Sequence, residues 1–171
     1  MVLPAGIDGF LRPLVTPGHV IALFSLGLVA GRNTLSGLTT IVAVVALGLA
    51  IGLGALASGI GETPAGDVLL ASAALCGLTA ASGVRAPVAL AAPIALALGA
   101  ALGLDSPPEV IRLGEAVAML IGTACGGVAA LAVIALLALT MAGRWQGIVL
   151  RVAGSWIAAI AILALAVRWS R

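Results

Sequence analysis

Long apolar stretches separated by short polar segments repeat along the whole chain. Charged residues are nearly absent from these stretches, and a membrane-spanning helix needs roughly 20 consecutive apolar residues. The pattern therefore predicts an all-α, polytopic transmembrane helix bundle of about six helices within a single transmembrane domain, 1–171. The predicted helices cover approximately 14–31, 38–60, 67–84, 86–104, 113–141 and 148–167.

The first predicted segment differs from the others because it is short and contains Pro13 and Pro17. Proline disrupts a helix interior, so we expect either a half-helix or a re-entrant element there. The stretch Met1–Asp8 has no basic region and carries an early Pro4. We therefore expect no cleaved secretory signal at this end.

The composition supports a membrane location. Hydrophobic residues make up 63% of the chain and charged residues 8%, with a mean hydropathy of +1.30. A soluble domain carries about 25% charged residues, and a small domain leaves much of its surface in water. These proportions exclude a soluble domain, a nucleic-acid-binding module, a disordered chain and a disulfide-stabilised secreted domain.

The charged residues predict how the chain crosses the membrane. With six crossings, one side of the membrane carries arginines and no acidic residue, and these arginines are Arg32, Arg85, Arg144 and Arg151. All 6 acidic residues and the remaining arginines lie on the opposite side. The positive-inside rule counts basic residues in the connections, and without the C-terminal tail it places the first side in the cytoplasm. We predict a multi-pass protein of the bacterial inner (cytoplasmic) membrane with both termini outside.

Small residues recur at four-residue spacing within the apolar segments, as Gly48/Gly52, Gly54/Ser58, Gly99/Gly103 and Gly122/Gly126. In lipid, such faces allow helices to approach closely and pack by van der Waals contact. We interpret them as packing faces. The alternative is that glycine-rich backbone opens a path for a substrate.

Three polar residues near membrane depth are candidates for chemistry, because each is costly to place in hydrocarbon. His19 could ligate a metal or relay a proton as a neutral imidazole, or it could be an interfacial histidine bonded to water or a carbonyl. Asp67 opens the third segment and either complements a helix dipole or lies on a cation pathway. Asp105 begins a charged connection, with Glu109, Arg112 and Glu115, that could simply be solvated.

Arg151 lies just inside the last segment, where it either extends back to the arginine-rich side or pairs with an acidic residue inside the bundle. Enzyme signatures are missing from the sequence. It has a single histidine, no phosphate-binding glycine loop, and no serine with a base at a recognisable spacing. We therefore expect no enzymatic activity and no resident cofactor.

Several short motifs resemble the HupE/UreJ family of small nickel/cobalt permeases, in the same order along nearly the whole chain. The opening Asp8-Gly9-Phe10-Leu11-Arg12-Pro13, followed by Gly18-His19, resembles a family segment with a His-Pro step and then Gly-x-Asp-His. Pro64-x-x-Asp67 with Ser72 is similar to the family's Pro-x-x-Glu and later serine. The run 99–105 lies where the family carries His-x-His-Gly-x-Glu, and 122–127 and Arg151-x-x-Gly154 resemble its last two segments.

The chain also departs from the family pattern. Arg12 stands where the family has a histidine, Gly18 replaces an aspartate, and Ala100 and Leu102 occupy two further histidine positions. Of the ligands that the resemblance implies, only His19 remains, with Asp67 and Asp105 as acidic replacements. Nickel and cobalt favour imidazole-rich sites, so these exchanges remove most of the implied metal site.

The resemblance implies a permease that moves a divalent metal, Ni²⁺ or Co²⁺, or another small solute, with His19, Asp67 and Asp105 as metal-contacting residues. The alternative hypothesis is a non-transporting structural or accessory subunit of a larger membrane complex. The missing histidines and the abundant small-residue faces support that alternative. The expected partners are the lipid bilayer and either a homo-oligomer or a larger membrane complex, with no nucleic acid.

Overall fold

The computed structural model describes residues 4–59, 64–107, 113–141 and 146–170, and these ranges form an all-α protein. This confirms the predicted fold class. Within these ranges seven helices follow one another, rather than the predicted six. They are α1 (Ala5–Val15), α2 (Pro17–Ala30), α3 (Leu35–Ala57), α4 (Ala65–Ser82), α5 (Val88–Leu104), α6 (Leu113–Thr140) and α7 (Gln146–Trp169).

The additional helix is α1, which ends at a bend near the start of the first predicted segment. α1 and α2 meet at Thr16 with an angle of 69°. Thr16 is extended, with φ −79° and ψ 114°, because the ring of Pro17 disfavours a helical conformation for the preceding residue. Pro17 itself begins α2, where its missing N–H costs nothing. The first predicted segment, 14–31, covers α2, whereas α1 lies mostly before it and contains the charged residues Asp8 and Arg12.

Four helices are long and apolar enough to cross a membrane by length and composition, namely α3, α4, α6 and α7. The bent pair α1 and α2 gives a fifth candidate if it counts as one span, and it can also be described as a re-entrant element. α5 is apolar but has only 17 residues. At about 1.5 Å per residue it is somewhat shorter than the roughly 30 Å hydrocarbon core. The chain is therefore a polytopic helical membrane protein.

Glycines bring three pairs of helices into backbone contact. In the α3–α5 pair, a Cβ added at Gly48 would lie 2.5 Å from the carbonyl oxygen of Leu96, and one added at Gly52 would strike that of Ala100. Gly99 and Gly103 approach α3 in the same way from the other side. The two predicted small-residue faces therefore pack against each other, since no larger side chain fits between the two backbones.

The other two pairs use the same principle with different partners. Gly122 and Gly126 lie against the backbone of α1 at Gly6 and Phe10, and Gly77 of α4 lies against Gly154 of α7. The fourth predicted packing face, Gly54/Ser58, does not pack against another helix among the described residues. A Cβ at Gly54 would meet nothing within 4 Å, and Ser58 is exposed.

α2 lies at the centre of the bundle and contacts each of the other six helices. From Ala22 to Ala30 nearly every residue is buried, including Leu23 and Leu26 at 1% and 0% exposure. A 14-residue helix surrounded in this way places any polar residue it carries in the interior of the protein. His19 lies in its first turn.

Alanine substitutions at two glycines of α3 should separate packing from helix propensity. Gly52→Ala adds a methyl group against the backbone of α5, and we expect it to lower the free energy of unfolding by about 1–3 kcal/mol. Gly54→Ala, two residues further on, should be neutral or stabilising by up to about 1 kcal/mol, because alanine favours helix and the space is open. Reversible unfolding by titration from a mild detergent into SDS measures both. Equal effects of the two variants would contradict the packing shown here.

Candidate functional site

The buried histidine of α2 is the centre of the candidate site. His19 is 1% exposed, and it lies two residues after Pro17, which starts the helix. The bend at Thr16 turns the chain inward just before this histidine, so that its side chain enters the bundle instead of the surrounding lipid. A buried imidazole needs a polar partner, because an unpaired polar group is costly in an apolar interior.

That partner is Asp105, which follows the last residue of α5. Nε2 of His19 lies 3.1 Å from Oδ2 of Asp105, across 86 positions of sequence. The Asp105 side chain is 40% exposed, so the pair joins a buried imidazole to a carboxylate that reaches water. The next residue, Ser106, is buried and donates its hydroxyl to the carbonyl of Leu102, which fixes the chain where α5 ends.

The pair determines which ring nitrogen of His19 carries the proton. An ionised carboxylate only accepts hydrogen bonds, so Nε2 donates to Asp105 and a neutral ring then has its lone pair on Nδ1. Nδ1 is buried and has no hydrogen-bond partner among the residues that the structure describes. The arrangement thus presents a basic nitrogen that can take up a proton or a metal ion.

Asp67 lies at the same end of the bundle but in a different contact. In the first turn of α4, its Oδ1 is 2.7 Å from Nε of Arg168, near the end of α7. Charge rather than an aligned hydrogen bond holds this contact, and Nε1 of Trp169 donates to Oδ2 over 3.4 Å. A Cβ at Gly66 would lie 2.5 Å from the guanidinium of Arg168, so this glycine makes room for the ion pair.

The structure therefore joins two of the three predicted site residues and separates the third. Within 4–59, 64–107, 113–141 and 146–170, no three His, Cys, Asp or Glu side chains form a group that could hold a metal ion. Glu109 and Arg112, predicted as part of the charged connection, lie outside the described residues. Arg12 donates to the sulfur of Met119 over 3.9 Å.

Two contacts were missed by reasoning from the sequence. Nothing in the sequence pairs His19 with Asp105 specifically, although both fall on the predicted acidic side of the membrane. Arg168 lies in the C-terminal tail that the positive-inside count leaves out, and it neutralises Asp67. Arg151, in contrast, donates from Nε to the carbonyl of Ala81 at the other end of α4. This matches the interpretation that it extends toward the arginine-rich side.

No family model, no curated protein and no solved structure matches this chain. The class of protein that the helices support is a polytopic helical membrane protein.

The single histidine of the chain allows a direct test of the assigned tautomer. Selective ¹⁵N labelling of histidine gives the signals of one ring only. In the neutral ring we expect the proton on Nε2 and an unprotonated Nδ1, because Asp105 accepts from Nε2. A neutral ring with its proton on Nδ1 would contradict the contact. In Asp105→Ala, which removes the acceptor, the strong preference for one tautomer should be lost.

Proposed function

We propose that this protein is a small permease for a divalent transition-metal cation, with His19 and Asp105 as the binding pair. The observation that carries the proposal is the buried imidazole held against a half-exposed carboxylate, with its second nitrogen unpaired among the described residues. Intramembrane ionisable residues are rare and mark ion or proton pathways. Imidazole and carboxylate are both ligands of divalent metals.

The spacing of the pair suits a metal as well as a proton. Two neighbouring ligand atoms at about 2.1 Å from an octahedral ion are about 3.0 Å apart, and Nε2 and Oδ2 are 3.1 Å apart. A cation could bind Nε2 and Oδ2 together with little movement of the backbone if the ring proton moves to Nδ1, which has no partner among the described residues. Water or backbone carbonyls would complete its coordination shell.

The exposure of Asp105 supports entry of the cation from the acidic end of the bundle. Asp105 reaches water at the acidic end of the bundle, whereas His19 is enclosed. A cation would first meet the carboxylate and then the imidazole, exchanging water for protein ligands in two steps. Asp67 stays out of the proposed pair, since Arg168 already neutralises it.

The resemblance to the HupE/UreJ permeases supports the same class of substrate, nickel or cobalt, although most of that family's histidines are replaced here. The accessory-subunit hypothesis depends in part on the small-residue faces. Three of those four faces are occupied inside the chain itself, by α3 with α5 and by α6 with α1. They therefore give that hypothesis little separate support.

The proposal is of a transporter rather than an enzyme. A hydrolase would need a nucleophile bonded to its base, and the hydroxyls of Ser25 and Ser106 donate to backbone carbonyls of their own segments instead. His19 is bonded to a carboxylate. Such a pair can hold a proton or a cation.

Nickel binding tests the proposal directly. Calorimetric titration of Ni²⁺ and Co²⁺ into the purified protein in detergent should show saturable binding that weakens at lower pH, because both ligands bind a metal deprotonated. His19→Ala should abolish binding, and Asp105→Asn should weaken it by about tenfold or more.

Glu115→Gln is the matched control, since it removes an acidic group from the first turn of α6 and should leave binding intact. Uptake of Ni²⁺ into proteoliposomes gives the second measurement. Absence of both saturable binding and uptake in a correctly folded protein would overturn the proposal, and binding that survives His19→Ala would move it away from this pair.

We propose in addition that the arginine-rich end of the bundle faces the cytoplasm and that both termini lie outside. An alkaline phosphatase reporter, active only outside the inner membrane, should be active when fused after Arg171 and inactive when inserted beside Arg85. The reverse pattern would contradict the orientation. Activity at both positions would contradict the three crossings expected between them and would indicate that the short α5 does not span the membrane.

A further inference from the structure

Three arginines meet at the end of the bundle opposite the His19–Asp105 pair. Arg32 follows α2, Arg85 precedes α5, and Arg151 lies in the second turn of α7. The pKa of Arg32 is lowered from its ordinary value by burial and by the positive charges of Arg151 and Arg85. No acidic residue occurs in the described segments that form this end, so their charges are uncompensated.

The last turn of α4 holds two of these side chains in place. Nη1 of Arg32 donates to the carbonyl of Ala80 over 2.7 Å, and Nε of Arg151 donates to that of Ala81 over 3.1 Å. Both carbonyls belong to the last turn of the helix, and that of Ala80 also accepts from the backbone N–H of Gly83 over 3.3 Å. A guanidinium has five N–H donors, so each arginine keeps further donors for another ligand.

Gly83 is required at the same place for two reasons. Its φ of +79° favours glycine, and a Cβ there would lie 3.1 Å from Nε of Arg151. The turn after α4 therefore allows the guanidinium of Arg151 to lie directly on the backbone. The positions of the arginines are thus fixed by the fold.

A polar cavity opens between these elements and adjoins an apolar one. The first has a volume of about 170 Å³ and is lined by Arg32, Gly83, Arg85, Ala138, Gly147 and Leu150. The second, of about 140 Å³, shares Ala138 and Leu150 and continues along side chains of α2 and α6 such as Phe24 and Leu137. Phe24 and Leu137 are 39% and 58% exposed, on the surface that faces lipid.

We propose that this end of the bundle binds an anionic phospholipid, with its phosphate on Arg32 and Arg85 and an acyl chain along the adjoining apolar cavity. One guanidinium can donate two parallel hydrogen bonds to two oxygens of a phosphate. Basic pockets between membrane helices bind anionic lipid headgroups. A free phosphate would use only the polar cavity. A lipid would occupy both the polar and the apolar cavity, so the adjoining apolar cavity favours a lipid over a free phosphate.

The test compares four ligands on the purified protein in a non-ionic detergent. Phosphatidylglycerol should raise the melting temperature and remain bound in native mass spectrometry, whereas phosphatidylcholine should do neither. Inorganic phosphate and glycerol 3-phosphate provide the charge without acyl chains and should stabilise far less. Equal stabilisation by inorganic phosphate would overturn the lipid assignment in favour of a free anion, and equal retention of phosphatidylcholine would overturn it altogether.

Variants locate the site. Arg85→Gln removes a charge from an exposed side chain that makes no hydrogen bond within the described ranges, and it should weaken phosphatidylglycerol binding about fivefold. Arg32→Gln should weaken binding at least as much, and Arg85→Gln keeps the test decisive if Arg32→Gln fails to fold. Arg168→Gln, which removes an arginine from the opposite end, is the matched control and should leave binding unchanged. Equal losses in Arg85→Gln and Arg168→Gln would show non-specific attraction and overturn the site.

Discussion

Close backbone contact at glycines is the interaction on which this bundle depends. Lipid tails are as apolar as the helices, so the hydrophobic effect does not press one helix against another, and van der Waals contact has to do so. Gly52 against Ala100, Gly122 against Gly6 and Gly77 against Gly154 each bring two backbones together. These three contacts form the pairs α3–α5, α1–α6 and α4–α7, and the pairs enclose α2.

The enclosure of α2 explains why its histidine is buried. A helix with one face in lipid could direct an imidazole to the headgroups, but α2 contacts all six other helices. His19 is therefore committed to the interior, where it needs a partner. Asp105 meets that need and also keeps contact with water, since it follows α5 and is not part of it. Packing, more than any local motif, thus places a titratable pair between the interior and the aqueous phase.

Much of the fold could be predicted from the sequence, because apolar length and the absence of charge are direct consequences of the membrane as solvent. The small-residue faces were predicted too, although not which face packs against which. Two features could not be predicted from the sequence. α1 was missed because Asp8 and Arg12 interrupt its apolar pattern, and the pairs His19–Asp105 and Asp67–Arg168 join residues 86 and 101 positions apart. Such pairs depend on how helices are arranged, which hydropathy does not encode.

The two ends of the bundle balance charge in different ways. At the acidic end, Asp67 meets Arg168 and Asp105 meets His19, so each of these carboxylates has a partner on another helix. At the other end, Arg32 and Arg151 rely on backbone carbonyls, whose partial charges offset only part of a full positive charge. Near a membrane the nearest anions that could balance the remaining charge are lipid phosphates. The same charge asymmetry thus underlies the proposed orientation and the two proposed ligands, a cation at one end and an anionic headgroup at the other.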